Sequence, residues 1–378
     1  MIIANIIEEA RLGGPQIRIT RVAEHLTKLN VKTIVFMPKN NSEDFYNLCK
    51  KKKIKAEIIK ISNIEKNFLS ILKYIYFFIF DILEITKKIK NHNIDLIHIS
   101  GGSWQIKGVI AGKLLNKPTI WHINDTSMPW FVVKLFKILS KLSTGLIFAS
   151  KKSHKVYGNN ENIPYSIVPS VLDTNFFNKD NTTICQSDLD IKNKRVLVTV
   201  ANISPVKNFE CLIYCLKNLK KRIENIHLFI IGDTFKSQNN YKSKIENLIN
   251  KFELNKNVTF LGKKKDIRFY LKMSEIYVCS SNFESSPISI WEAMSMELPI
   301  VSTKVGDIDN YIKDGKNGYV VNKNDYTTMS DKLFNLLNNK HQIINFGQVN
   351  RKIAINNFSL DIISKKTIDF YNLILDKY

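Results

Sequence analysis

Two carboxylates, Glu284 and Glu292, stand eight residues apart in the stretch ESSPISIWEAM. Between them, Ser285, Ser286, Pro287 and Ile288 read as a helix start, with Ser286 suited to the N-cap and Pro287 to the first helical position. An eight-residue step advances a helix by about two turns. Glu284, ahead of the helix, and Glu292, inside it, can therefore address two parts of one ligand. The amides at the helix start offer a seat for phosphate. An amphipathic helix with two solvated acids has the same spacing, so the rest of the chain must decide between them.

Four further stretches carry residues with possible chemistry. Gly13 and Gly14 follow a short apolar run and precede the helical pattern Gln16–Leu29, where glycine lets backbone approach a ligand. They do not form G-x-G-x-x-G, and a plain turn reads the same way. VANISPVKN, Val200 to Asn208, brings Asn202 and Lys207 to the end of a strand pattern. LFIIGD brings Gly232 and Asp233 to the end of another. WHINDTSMP brings His122 and Asp125 to the end of a third. A hydrolase triad would use such a histidine, but the chain has no G-x-S-x-G elbow to supply the serine.

These stretches need a scaffold that lines up strand ends. Short β-branched runs alternate with helical patterns from end to end, as in parallel sheets covered by helices on both faces. Strands are expected near 2–7, 31–37, 56–61, 94–99, 117–122, 144–148 and 165–168. A second series is expected near 195–201, 226–231, 257–260, 276–279, 299–302 and 318–321. Polar, aperiodic residues from about Ser170 to Asn193 read as the linker between two α/β halves. Ligands bind beyond the carboxyl ends of strands in open parallel sheets, which is where these motifs fall.

In this order and spacing, the motifs resemble retaining glycosyltransferases of the GT-B fold, family 4. The likeness runs through IVPSVLDTNFF, VANISPVKN and the Glu284–Glu292 stretch, and reaches the Gly13-Gly14 loop. It implies two Rossmann-like parallel-sheet domains facing across a cleft. Residues 1–175 form the acceptor side, 176–358 the donor side, and 359–378 a helix crossing back. By the same resemblance, Glu292 bonds the ribose hydroxyls and Glu284 sits near the donor sugar or its phosphates. Ser285, Ser286, Pro287, Ile288 and Gly232 border the donor, and the Gly13-Gly14 loop is a wall of the site near donor phosphate or acceptor. Lys207 matches the lysine of a basic pair that holds the diphosphate. The paired arginine is Asn202 here, which donates hydrogen bonds but neutralises no charge. Ser285-Ser286 replaces the family's frequent Gly-Phe. His122 falls where the family sets a histidine against the donor sugar, with Asp125 three residues on as a second catalytic candidate. No cofactor and no metal are implied. A near D-x-D case, Asp188-Leu189-Asp190, falls in the expected linker.

Composition narrows the setting. The chain has 378 residues, 44% of them hydrophobic, enough for two cored domains. Five scattered cysteines, including Cys185, complete no zinc pattern and read as reduced thiols. The start, MIIANII followed by Glu8 and Glu9, lacks the basic region of a signal peptide, so a cytoplasmic protein is expected. The formal charge is +22, and residues 1–180 carry 27 basic against 14 acidic side chains. Lys, Ile and Asn are abundant throughout, so part of this charge is compositional background. Two apolar segments lie in that half, Phe68–Leu83 and Trp130–Leu142, and the first is too short and too polar to span a bilayer. Lys134, Lys137 and Lys141 share one helical face. These segments suit either the domain core or an anionic membrane surface.

The expected function is sugar transfer from a nucleotide-diphosphate sugar to a hydroxyl of a lipid-linked glycan in bacterial surface polysaccharide assembly. The expected site is the inner membrane face. A nucleotide-sugar epimerase of the same architecture, a non-enzymatic basic nucleic-acid binder and a sugar-binding protein without turnover are alternatives. Nucleic acid is not an expected partner, because the basic charge comes with no recognition helix, zinc finger or stacking platform.

Overall fold

β-Branched runs become strands where both of their faces are covered, and the computed structural model of the chain contains two such stacks. It describes residues 1–63, 68–158, 162–183, 191–234 and 238–378. Cys185 and the Asp188-Leu189-Asp190 sequence lie outside them. The chain divides into two compact units, Met1–Val171 with Leu360–Tyr378, and Leu172–Ser359.

The first unit holds a seven-stranded parallel sheet. Its strands are β1 (Ile2–Ile6), β2 (Lys32–Pro38), β3 (Lys55–Ile59), β4 (Leu96–Gly101), β5 (Thr119–Ile123), β6 (Gly145–Phe148) and β7 (Tyr165–Ile167). Their order is β3-β2-β1-β4-β5-β6-β7. One face packs Ile6, Ile97, Trp121 and Phe148 against the helices Phe68–Lys90 and Trp130–Leu139. The other packs Ile3, Leu96, Ile120 and Ile147 against the helices Gly14–Thr27 and Leu360–Asp376. The last helix is fixed there by Ile363, Phe370 and Ile374 and by a 3.1 Å pair between His25 and Asp361.

The second unit holds six parallel strands: β8 (Arg195–Val200), β9 (Ile226–Ile231), β10 (Val258–Gly262), β11 (Ile276–Cys279), β12 (Ile300–Thr303) and β13 (Gly318–Val321). Their order, β10-β9-β8-β11-β12-β13, reverses direction between β8 and β11. Chain connections from these two neighbours leave in opposite directions, so their carboxyl ends open a crevice.

Three local expectations need correction. The helix after Gly13 begins at Gly14, two residues early, because Pro15 pre-sets its first turn. The apolar segment from Phe68 continues helically to Lys90. The segment read as a linker is partly core: the unit boundary falls between Val171 and Leu172, and Leu172 and Phe177 are buried in the second unit. The Leu172 amide donates to Phe358 O at 2.7 Å, which anchors this crossing. Polar neighbours masked these two apolar side chains.

Candidate active site

Lys207 ends a single turn, Pro205–Lys207, that follows β8. Asn208 then adopts the left-handed conformation, φ 50°, which turns the chain into the helix Phe209–Lys220. An asparagine tolerates that geometry better than most residues. Its amide donates to Asn324 Oδ1 at 2.8 Å. The loop after β11 is stitched to this turn: Ser280 Oγ donates to Lys207 O at 2.9 Å, and the Asn282 amide donates to Val206 O at 2.8 Å. Thr303 Oγ1, at the end of β12, donates to Ser281 O at 2.6 Å. Strand ends distant in sequence are thus held to one another by backbone acceptors.

This frame brings Lys207 Nζ to 2.5 Å from Glu284 Oε1, which also accepts from Ser281 Oγ at 2.8 Å. Burial would push the Lys207 pKa down, but the Glu284 carboxylate outweighs it and holds the lysine above its ordinary value. The Lys207 side chain keeps a quarter of its surface exposed. It is a fixed cation at the sheet's reversal point.

The helix that follows runs Ile288–Ser295, with Pro287 in the extended N-cap position. Ser286 is therefore not the N-cap, and Pro287 is not the first helical residue. The reason is Trp291, which is buried, stacks on Phe358 at 4.2 Å and donates its indole N–H to Ser286 Oγ at 3.1 Å. That hydroxyl is held by the indole, and the first backbone bond of the helix runs from Ile290 N to Pro287 O. The Ile288 and Ser289 amides at the helix start have no acceptor within the helix. Ser289 Oγ is hydrogen-bonded to the Tyr277 hydroxyl at 2.9 Å. Glu292, one turn into the helix, is buried with 9% of its surface exposed.

Two glycines close the frame. Gly232 sits at φ +143°, and a Cβ there would fall 2.1 Å from Ala201 O. Ile203 N, on the same loop as the exposed Asn202, donates to Asp233 O at 2.9 Å. Gly306 sits at φ +54°, and a Cβ there would fall 2.3 Å from Ser285 O. Both positions need glycine, for conformation and for space. Gly306 and Ser281 were not anticipated. The only hint of Gly306 was V-G-D after a strand, echoing the I-G-D of Gly232.

The first unit gathers the other candidates at the ends of its own strands. Gly13 is extended at φ −158°, so no left-handed conformation demands a glycine there. It caps the helix, and Gln16 Nε2 donates to Glu9 O at 2.6 Å. Asp125 accepts the Ser103 amide at 2.7 Å on one oxygen and the Tyr157 hydroxyl on the other. Burial raises its pKa against these bonds. Such a carboxylate fixes the loop after β4 onto the loop after β5. His122 is fully buried on β5, 3.1 Å from His98 on the adjacent strand β4. A cavity of about 540 Å³ opens at the opposite, amino ends of β1–β3, beside Lys32, Lys55 and His92.

Comparison with known proteins agrees with this architecture. The family model Glycosyltransferase Family 4 matches residues 12–175, and Glycosyl transferases group 1 matches residues 181–353. The chain is 23% identical over 248 residues to N-acetyl-alpha-D-glucosaminyl L-malate synthase of Bacillus anthracis, covering 65% of this chain and 62% of that protein. It is 24% identical over 318 residues to UDP-Gal:alpha-D-GlcNAc-diphosphoundecaprenol alpha-1,3-galactosyltransferase of Escherichia coli, covering 75% of this chain and 80% of that one. The chain spans less than two thirds of the length of several curated relatives, 51% in the case of Spore coat protein SA of Bacillus subtilis. Among solved structures, Anabaena Alr3699/HepE in complex with UDP and glucose superposes with a TM-score of 0.82 at 17% identity, over 98% of this chain and 99% of that one. Two Rossmann-like units, GT-B neighbours and the two adjoining family models make the chain a member of the group 1, family 4 glycosyltransferases.

Proposed function

We propose that the chain transfers a sugar from a nucleoside-diphosphate sugar to a hydroxyl of a lipid-linked glycan, with net retention and without a metal ion, in the assembly of a bacterial surface polysaccharide. The observation that carries this reading is the Lys207–Glu284 pair at the β8/β11 reversal, followed by a helix start and the buried Glu292. The departing diphosphate needs positive potential. Lys207 and the Ile288 and Ser289 amides supply it, preorganised by the stitched loops. Glu292 takes the ribose hydroxyls, and Gly232 and Gly306 let backbone line the pocket.

In this mechanism the anomeric C–O bond to phosphate breaks as the acceptor oxygen bonds the same face of that carbon. The acceptor proton passes to a phosphate oxygen of the leaving group. Asp125 and His122 act as positioning residues of the first unit, Asp125 through the loops after β4 and β5. The acceptor class follows from the first unit's surface. The helix Phe68–Lys90 exposes Phe68, Leu69, Tyr76, Ile79 and Phe80 and ends with Lys87, Lys88 and Lys90. Trp130, Phe131, Leu135 and Ile138 are exposed on the helix Trp130–Leu139. Among the described residues no helix is long and apolar enough to cross a membrane, so these faces suit peripheral seating on anionic lipid. The Escherichia coli relative, whose name specifies a diphosphoundecaprenol-linked acceptor, supports the same choice.

The test is product analysis by mass spectrometry with UDP-sugars, with and without a diphosphoprenol-linked saccharide. Transfer only when acceptor is present supports the proposal. Conversion of the nucleotide sugar alone would make the chain an epimerase.

A further inference from the structure

Unsatisfied buried polar atoms collect in one layer of the first unit. Asn5 Oδ1, Arg18 Nε and Nη2, Ser100 Oγ, His122 Nε2 and Ser364 Oγ are each buried without a hydrogen-bond partner. Register and helix packing put them in the same layer. Asn5 lies beside His98, and Ser100 lies beside His122, in adjacent parallel strands. Alternation puts all four on the sheet face of Ile3, Leu96 and Ile120. The helices Gly14–Thr27 and Leu360–Asp376 cover that face, and they contribute Arg18 and Ser364.

Charge sharpens the problem. Arg18 is 4% exposed, and among the described residues no carboxylate pairs with it. Its electrostatic neighbours are His98, His122 and Tyr371; burial, and then the Arg18 charge, hold both imidazoles well below their ordinary pKa. Burial itself lowers the Arg18 pKa to about 10, which leaves it cationic at neutral pH. An unpaired buried guanidinium is among the costliest arrangements in a protein core. Nearly every atom facing this layer can donate. The chain of rings agrees: the Tyr371 hydroxyl lies 2.6 Å from His98 Nδ1, and His98 Nε2 lies 3.1 Å from His122 Nδ1. If the phenol donates inward, His98 donates to His122, and His122 Nε2–H is left pointing outward as a donor.

We propose that this layer binds a small inorganic anion of halide size, represented by chloride, held by the Arg18 guanidinium, His122 Nε2–H and the hydroxyls of Ser100 and Ser364. The occupant would neutralise Arg18 and fix the His122 tautomer. This inference does not rest on the donor site, and it meets the proposed reaction only at His122.

The test is the melting temperature of the full chain on titrating chloride against gluconate at constant ionic strength, together with bromide anomalous scattering from its crystals. Expected results are a saturable rise in Tm with chloride and bromide, and a bromide peak beside Arg18. Arg18→Met should abolish the rise without lowering Tm in gluconate, because the replacement leaves no buried charge. Ser364→Ala should raise the half-saturating chloride concentration several-fold. Equal Tm in chloride and gluconate, a response unchanged in Arg18→Met, or ordered water in place of bromide overturns the proposal. If Arg18→Met does not fold, the bromide map of the unmodified chain decides alone.

Discussion

Lys207 Nζ and Glu284 Oε1 meet at 2.5 Å although 77 residues separate them in sequence. Neither residue is placed by its own local structure. Lys207 is held through its carbonyl by Ser280, and Glu284 through its carboxylate by Ser281, so the loop after β11 sets both. On the proposed function, a diphosphate entering the crevice would compete with Glu284 for the ammonium.

Removing the cation tests its role. Lys207→Ala should lower kcat/KM by roughly 10²–10³, as expected when one preorganised charge contact to a leaving group is lost. Steady-state kinetics with the preferred donor would show it, and turnover within a few-fold of normal would remove Lys207 from the mechanism.

The glycine that supports Glu284 makes a separate prediction. Gly306→Ala forces a left-handed conformation on alanine and drives Cβ onto Ser285 O. A cost of about 1–3 kcal/mol is expected from such strain. Urea denaturation should show it, together with weakened nucleotide binding, because the loop that moves carries Glu284. A variant as stable as the parent would mean that this loop yields freely.

Glu8 gives a pH dependence. It is fully buried just after β1, accepting from the Lys107 amide at 3.0 Å and the Tyr74 hydroxyl at 3.2 Å. Burial, opposed by Lys107, raises its pKa from 4.5 to about 7. A raised carboxyl binds its proton more tightly in the folded state, so its contribution to stability is largest below about pH 4.5. That contribution is lost as pH rises to about 7, on the order of 3 kcal/mol across the window. Glu8→Gln should flatten the melting temperature across pH 5–7. An unchanged slope would place the titration elsewhere.

Much of the scaffold was legible in the sequence because parallel strands covered on both faces are written as short apolar runs. β9, β11 and β13 fall at the expected residues for that reason. The motifs at strand ends were legible by spacing, as with Glu284 and Glu292. What escaped were contacts decided in three dimensions. Ser286 lost its capping role to the Trp291 indole, and Leu172 and Phe177 found a core that their polar neighbours did not announce. Gly306 is required because its backbone is left-handed and Ser285 O lies where a side chain would be. The burial of His122 depends on a helix 240 residues later in the chain, which no local pattern encodes.

The exposed apolar helices predict membrane seating. Replacing Lys134, Lys137 and Lys141 with alanine should weaken sedimentation with phosphatidylglycerol vesicles. At about 1 kcal/mol per lysine, the loss would be on the order of a hundred-fold. Ile79→Ser with Phe80→Ser should weaken it further at any salt concentration. Unaltered sedimentation in both variants would leave these faces without a lipid role.

The central claim is that the second unit's crevice binds a nucleoside diphosphate through Glu292 and Lys207. Thermal shift of the purified chain against UDP, GDP, ADP and CMP, with Glu292→Ala alongside, tests it most directly. A ligand at a hundred times its dissociation constant adds about 2.7 kcal/mol of apparent stability. The account predicts a selective rise with one nucleoside diphosphate and its loss in Glu292→Ala. A folded sample that responds to none of them, or a Glu292→Ala variant that responds like its parent, would contradict it.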